Sequence, residues 1–139
     1  MQLRRSAAQA GFSLIEMMLV LGIIAFIAAM VAQNVFKTGE TAKRKQAALG
    51  VKKIASEAQA YYTDTGSLPS KIEDLITKPA NAQNWSRQYL KPSQARDPWG
   101  NAFVLKTGGD YADGFVVISY AADGKEGGTG NDADVSSAE

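Results

Sequence analysis

Hydrophobic and polar positions divide this chain into regions of different period. Residues 1–11, MQLRRSAAQAG, are short and polar and carry Arg4 and Arg5. Residues 12–32, FSLIEMMLVLGIIAFIAAMVA, follow with only Ser13 and Glu16 polar among 21 positions. The run is apolar on every side. A helix of that length spans about 31 Å, close to the ~30 Å hydrocarbon thickness of a bilayer. It predicts a membrane span whose basic end stays cytoplasmic, with the rest of the chain across the membrane. Further on, Ala47, Val51, Ile54, Ala58 and Tyr61 recur every three or four residues, one apolar stripe on a helix. Lys45, Lys52, Lys53 and Glu57 fall off the stripe. The pattern predicts one helix from Phe12 to about Thr63, with Gly39 as a bend and Asp64-Thr65-Gly66 as the stop. Its first half is uniformly apolar and its second half is one-sided, for a domain core.

Ser70-Lys71-Ile72-Glu73 has the spacing of a capping box and predicts a short helix through Ile76, closed by Pro79. Residues 80–96 show no period and read as a long loop pinned by Trp85 and Tyr89. Asp97-Pro98-Trp99-Gly100-Asn101 is turn chemistry, with Trp99 as a core plug. Residues 102–107 and 115–120 read as two strands joined by a glycine-rich link. The expected fold class is α+β, a long N-terminal helix packed on a small antiparallel sheet.

Charge and composition narrow the function. Fifteen basic and fourteen acidic residues leave a formal +1, so no nucleic-acid partner is expected. Histidine and cysteine are both absent. That excludes His/Cys zinc sites, Ser-His-Asp and Cys-His triads, thiol redox chemistry and disulfides. Oxygen ligation of a metal remains. The charge is unevenly placed. Residues 107–139 hold seven acids against Lys125, a formal −6, whereas residues 37–53 hold six bases against Glu40. The cluster Lys43-Arg44-Lys45 reads as a solvated helix face or a contact to anionic headgroups.

Glu16 is the informative residue of the span. A carboxylate deep in a bilayer costs about 2.5–3.5 kcal/mol on insertion scales and calls for a partner. No base follows it through Ala32. Cleavage after Gly11 would create an α-amino group on Phe12, and a neighbouring subunit's amine would neutralise Glu16. The alternative is an interfacial Glu that is protonated or snorkels to water. A secretory signal fits less well, because its apolar region is about 7–15 residues and ends in an A-x-A-like site. Ala8-Gln9-Ala10 has that form but precedes the apolar run.

Gly11-Phe12-Ser13-Leu14-Ile15-Glu16, after a basic leader and before a long apolar helix, resembles the processing site of type IV pilin-like proteins. The resemblance implies cleavage between Gly11 and Phe12 by a prepilin peptidase, N-methylation of Phe12, and a role for Glu16 in subunit registration. It divides the chain into a leader (1–11), a transmembrane and filament-core helix (12–32) and a periplasmic pilin-like domain (33–139).

The C-terminal segment runs ADGKEGGTGNDAD over residues 122–134. Asp123, Asp132 and Asp134 are candidates to converge from the two ends of a floppy loop. With backbone carbonyls they suit the six to eight oxygens that Ca²⁺ takes, although the spacing is not that of an EF-hand. A solvated acidic tail is the alternative. Taken with DPWGN and the two strands, this order is similar to the major pseudopilins of bacterial type II secretion systems. That resemblance implies a Ca²⁺-binding loop using Asp123, Asp132 and Asp134, with the Tyr120 carbonyl a weaker candidate. The final residues, Val135 to Glu139, lack the aromatic ending of many members.

What the resemblance implies is a structural subunit and not an enzyme. It would polymerise with itself from the inner membrane into a periplasmic filament that drives folded proteins across the outer membrane. Its partners would be minor pseudopilins, an inner-membrane assembly platform and the prepilin peptidase. The alternatives are a type IV pilus subunit and a monomeric membrane-anchored calcium-binding module.

Overall fold

The computed structural model describes residues 11–138. The chain divides into two compact units, Met1–Thr38 and Gly39–Glu139. The leader expected at residues 1–11 lies outside the described residues except for Gly11.

Helix α1 (Leu14–Thr65) belongs to both units and is continuous through Gly39. In the first unit its side chains are exposed throughout. An 18-residue window there has mean hydropathy 2.7, long and apolar enough to cross a membrane. In the second unit Ala47, Val51, Ile54, Ala58 and Tyr61 are the buried residues of α1, the same five that the period picked out. The helix ends where Gly66 takes a φ of 77° and its N–H returns to the Tyr62 carbonyl at 2.8 Å. That is a left-handed glycine cap, as Asp64-Thr65-Gly66 predicted.

Helix α2 (Glu73–Ile76) forms, but not with the expected cap. The Ser70 hydroxyl does not cap it. Instead Asp74 reaches back, and its Oδ2 accepts the N–H groups of Ser70 (2.8 Å) and Lys71 (3.2 Å). In a capping box the Glu73 side chain would accept the Ser70 N–H; Asp74 takes it instead, together with the Lys71 N–H, at a helix start whose dipole favours negative charge. Leu75 is fully buried, and its carbonyl accepts N–H bonds from both Tyr89 and Leu90 at 2.9 Å. This ties down the long segment after α2. Trp85 adds an indole N–H bond to the Asp74 carbonyl at 3.3 Å, and Tyr89 packs edge-on against Tyr61 and Trp85.

The sheet has three strands, β1 (Val104–Thr107), β2 (Phe115–Ser119) and β3 (Val135–Ser136), ordered β1-β2-β3 and antiparallel throughout. The register sets Val104 opposite Ile118 and Ser119 opposite Val135. Leu105, Phe115, Val117 and Val135 join the α1 stripe, Leu75, Leu90 and Phe103 in one core. Gly50 admits the Phe103 ring, since a Cβ there would come within 2.7 Å of it. The third strand was not expected from the sequence.

The DPWGN turn is built around one buried carboxylate. Asp97 is 6% exposed. Its Oδ1 accepts the N–H groups of Trp99 (3.1 Å) and Asn101 (2.9 Å), and its Oδ2 accepts the Ser119 hydroxyl at 2.7 Å. Asn101 in turn donates to the Ala121 carbonyl at 2.8 Å. The turn is thereby fastened to the end of β2, where the acidic loop begins. Trp99 is half-buried. Its indole N–H donates to Glu40 at 2.9 Å, and Lys43 pairs with the other oxygen at 3.1 Å. The Trp99 bond, with Lys43 second, holds the Glu40 carboxyl below its ordinary range.

Candidate functional site: an exposed helix start and an acidic loop

At the N-terminal site, Gly11, Phe12 and Ser13 precede the first helical residue and are exposed. The Ser13 carbonyl accepts the Met17 N–H at 3.1 Å and opens α1. The Gly11–Phe12 peptide bond therefore lies outside the helical hydrogen-bond ladder and is exposed. Nothing lies within 4 Å of where a Gly11 Cβ would be, and no positive φ is required there. The fold itself does not demand glycine at this position. Glu16 is exposed in the first turn of α1, on the side of the helix dipole that favours an anion. No described base pairs with it.

The second site is the loop between β2 and β3. Asp123 is exposed, and its Oδ1 accepts the Lys125 N–H at 3.0 Å. Asp132 is exposed within a short 3-10 turn, Gly130–Asp132. Asp134 is half-buried and points into the loop. Its Oδ2 accepts the Gly127 N–H at 2.9 Å, while its Oδ1 is buried with no partner, alone in this among the described side chains. The Tyr120 carbonyl accepts the Gly124 N–H at 3.1 Å. Gly128 is required by close approach, because a Cβ there would overlap the Asp132 carbonyl. Among the described residues no three carboxylates are gathered closely enough to hold a metal ion. The loop thus brings Asp134 inward and leaves Asp123 and Asp132 on its rim. The orphaned, buried Asp134 oxygen has the chemistry of a ligand for a hard cation that takes oxygen donors.

Sequence reasoning missed what fastens this loop. Arg44, on α1, donates from Nη1 to the carbonyls of Gly130 (3.1 Å) and Ala133 (2.8 Å). It is half-buried and bonded to the loop, not a plainly solvated residue. Lys106 adds a bond to Glu126 at 2.8 Å, which raises the Lys106 pKa.

Known proteins resemble this chain in sequence and in fold. A family model described as type II secretion system (T2SS), protein G matches residues 34–138, and one described as the prokaryotic N-terminal methylation motif matches residues 6–32. The chain belongs to the type II secretion system protein G family. The type II secretion system core protein G of Pseudomonas aeruginosa is 38% identical over 134 residues, covering 91% of this chain and 93% of that one. Its counterpart in Xanthomonas campestris pv. campestris is 34% identical over 129 residues, 93% and 90% of the two chains. The crystal structure of the major pseudopilin from the type 2 secretion system of enterohaemorrhagic Escherichia coli aligns with a TM-score of 0.60 at 24% identity, over 76% of this chain and 94% of that one. The long helix on a small antiparallel sheet is therefore the fold of a major pseudopilin. In this protein G homologue the methylation motif covers Gly11, Phe12 and Glu16, and the protein G region covers the acidic loop.

Proposed function

We propose that this chain is the repeating structural subunit of a type II secretion pseudopilus, a periplasmic filament whose growth moves folded proteins toward an outer-membrane channel. The observation that carries the reading is the first half of α1. It is apolar on every face, unburied within its own chain, and headed by a carboxylate without a described partner. Lipid satisfies the apolar surface before assembly, and neighbouring helices satisfy it afterwards. Glu16 needs a cation in either setting.

The chemistry of assembly follows from that start. A prepilin peptidase cuts the exposed Gly11–Phe12 bond, and the released Phe12 amine, N-methylated yet still positively charged, pairs with Glu16 of a neighbouring copy. The inner-membrane assembly platform and minor pseudopilins are the further partners, with the globular domain in the periplasm. Gly11→Ala tests the processing step apart from folding, since the fold tolerates alanine there. The expected result is retention of residues 1–11 by N-terminal sequencing. A normally processed terminus would refute it.

Ca²⁺ belongs to the same proposal. Asp134 would hold it through the orphaned Oδ1, with Asp123, Asp132 and the Tyr120 carbonyl as the other donors. When bound, it supplies positive charge that neutralises the loop carboxylates. The chain's own part is to hold Asp134 inward through the Gly127 N–H and to hold the turn through Arg44.

A further inference from the structure

The globular unit carries two unlike patches on opposite flanks of α1. The first is a groove of about 300 Å³ floored by Phe103 and Gly50, walled by Leu49 and Pro98, and rimmed by Lys53 and Arg96. Leu49 is 71% exposed. Lys53 forms no ion pair with a described residue, and Arg96 uses its Nη1 on the Gly100 carbonyl at 2.8 Å.

The second patch is the tip of the β1–β2 hairpin, residues 108–114. Asp110, Tyr111 and Asp113 are all exposed there. The tip is shaped by the Gly108 N–H on the Gly114 carbonyl and the Gly114 N–H on the Tyr111 carbonyl, both at 2.9 Å. Neither aspartate is in an ion pair with a described residue. The tip lies beside Ala55, Gln59 and Tyr62 of α1. Lys53 and Tyr62 are separated by about two and a half helical turns, so the groove and the tip face opposite ways.

We propose that the hairpin tip of one copy docks into the groove of the next copy, with Tyr111 against Leu49 and Phe103 and with Asp110 and Asp113 facing Lys53 and Arg96. This rests on the filament-subunit reading above and names the surface that joins the globular domains. An aromatic centre with a charged rim is the anatomy of a stable interface. The two acids meet the two bases, which fixes orientation. Because the joined patches differ, the contact is heterologous, the kind that extends into an open filament instead of closing as a dimer.

Cysteine pairs test this cleanly, since the native chain has no cysteine. Full-length chain carrying both Lys53→Cys and Asp113→Cys, assembled in cells and treated with a short bismaleimide, should give a ladder of multimers. Either single variant should give none. Filaments without a ladder overturn the contact and leave the subunit reading intact. A discrete adduct of Lys53→Cys with some other protein assigns the groove to another partner and also overturns it. Lys53→Glu should cut filament mass at least fivefold, and adding Asp113→Lys should restore it. A loss that this swap leaves unrepaired, or no loss at all, counts against the pairing. Failure of the unaltered chain to form filaments, scored first by electron microscopy, would overturn the subunit reading itself.

Discussion

At the scale of single residues, two glycines of α1 separate backbone preference from packing. Gly39 is exposed, with nothing within 4 Å of a would-be Cβ, whereas at Gly50 the Phe103 ring occupies that space. Gly39→Ala should therefore stabilise the helix by about 0.5–1 kcal/mol through backbone entropy alone. Gly50→Ala gains the same term but forces the ring aside at about 1–3 kcal/mol, so it should destabilise on balance. Urea unfolding of the full chain in detergent, compared for both variants, checks the opposite signs. Asp97 is a sterner case. Asp97→Ala strips the acceptor from Trp99, Asn101 and Ser119 at once, and should cost about 3 kcal/mol or more in the same measurement. What made Asp97 recognisable as part of a turn was its neighbours Pro98 and Gly100. Its bond to Ser119, twenty-two positions along the chain, has no local signal.

At the scale of elements, the amphipathic half of α1 could be read from the sequence because burial on one helical face imposes a period. β3 could not, because a two-residue strand is defined by what it pairs with and has no pattern of its own. The start of α2 misled for a related reason. Ser70 and Glu73 have capping-box spacing, but Asp74, one residue further on, takes the Ser70 N–H that Glu73 would have accepted. The end of α1 has a pH-dependent contact. Asp64 Oδ2 accepts the Tyr89 hydroxyl at 2.7 Å and the Ser86 hydroxyl at 2.8 Å. These bonds hold its carboxyl below the ordinary 3.8. The folded state prefers the charged form. The contribution is therefore complete above the unfolded value near 4 and disappears as pH falls through the lower folded value. Thermal melts between pH 2 and 6 should show a shallower acid limb for Asp64→Asn than for the unaltered chain. At the other end of α1, Glu16→Ala should leave membrane fractionation unchanged and sharply reduce the yield of sheared filaments. Equal yields would remove Glu16 from assembly.

For the whole molecule, family membership was legible because Gly11 to Glu16 and the DPWGN-to-acidic-loop order are contiguous strings. The details of the loop were not legible, since Asp123, Asp132 and Asp134 look equivalent on paper yet only Asp134 turns inward. Calcium should raise the melting temperature of the chain, EGTA should reverse the rise, and Asp134→Ala should abolish it. An identical melt in both conditions would set the ion aside. Arg44 gives the loop a hold that needs no ion. It grips peptide carbonyls, groups with no proton to gain and no ion to lose. On the proposal that Ca²⁺ binds this loop, stripping divalent ions should therefore slacken the strap between β2 and β3 without unbuckling it, leaving a subunit that can be recharged when the ions return.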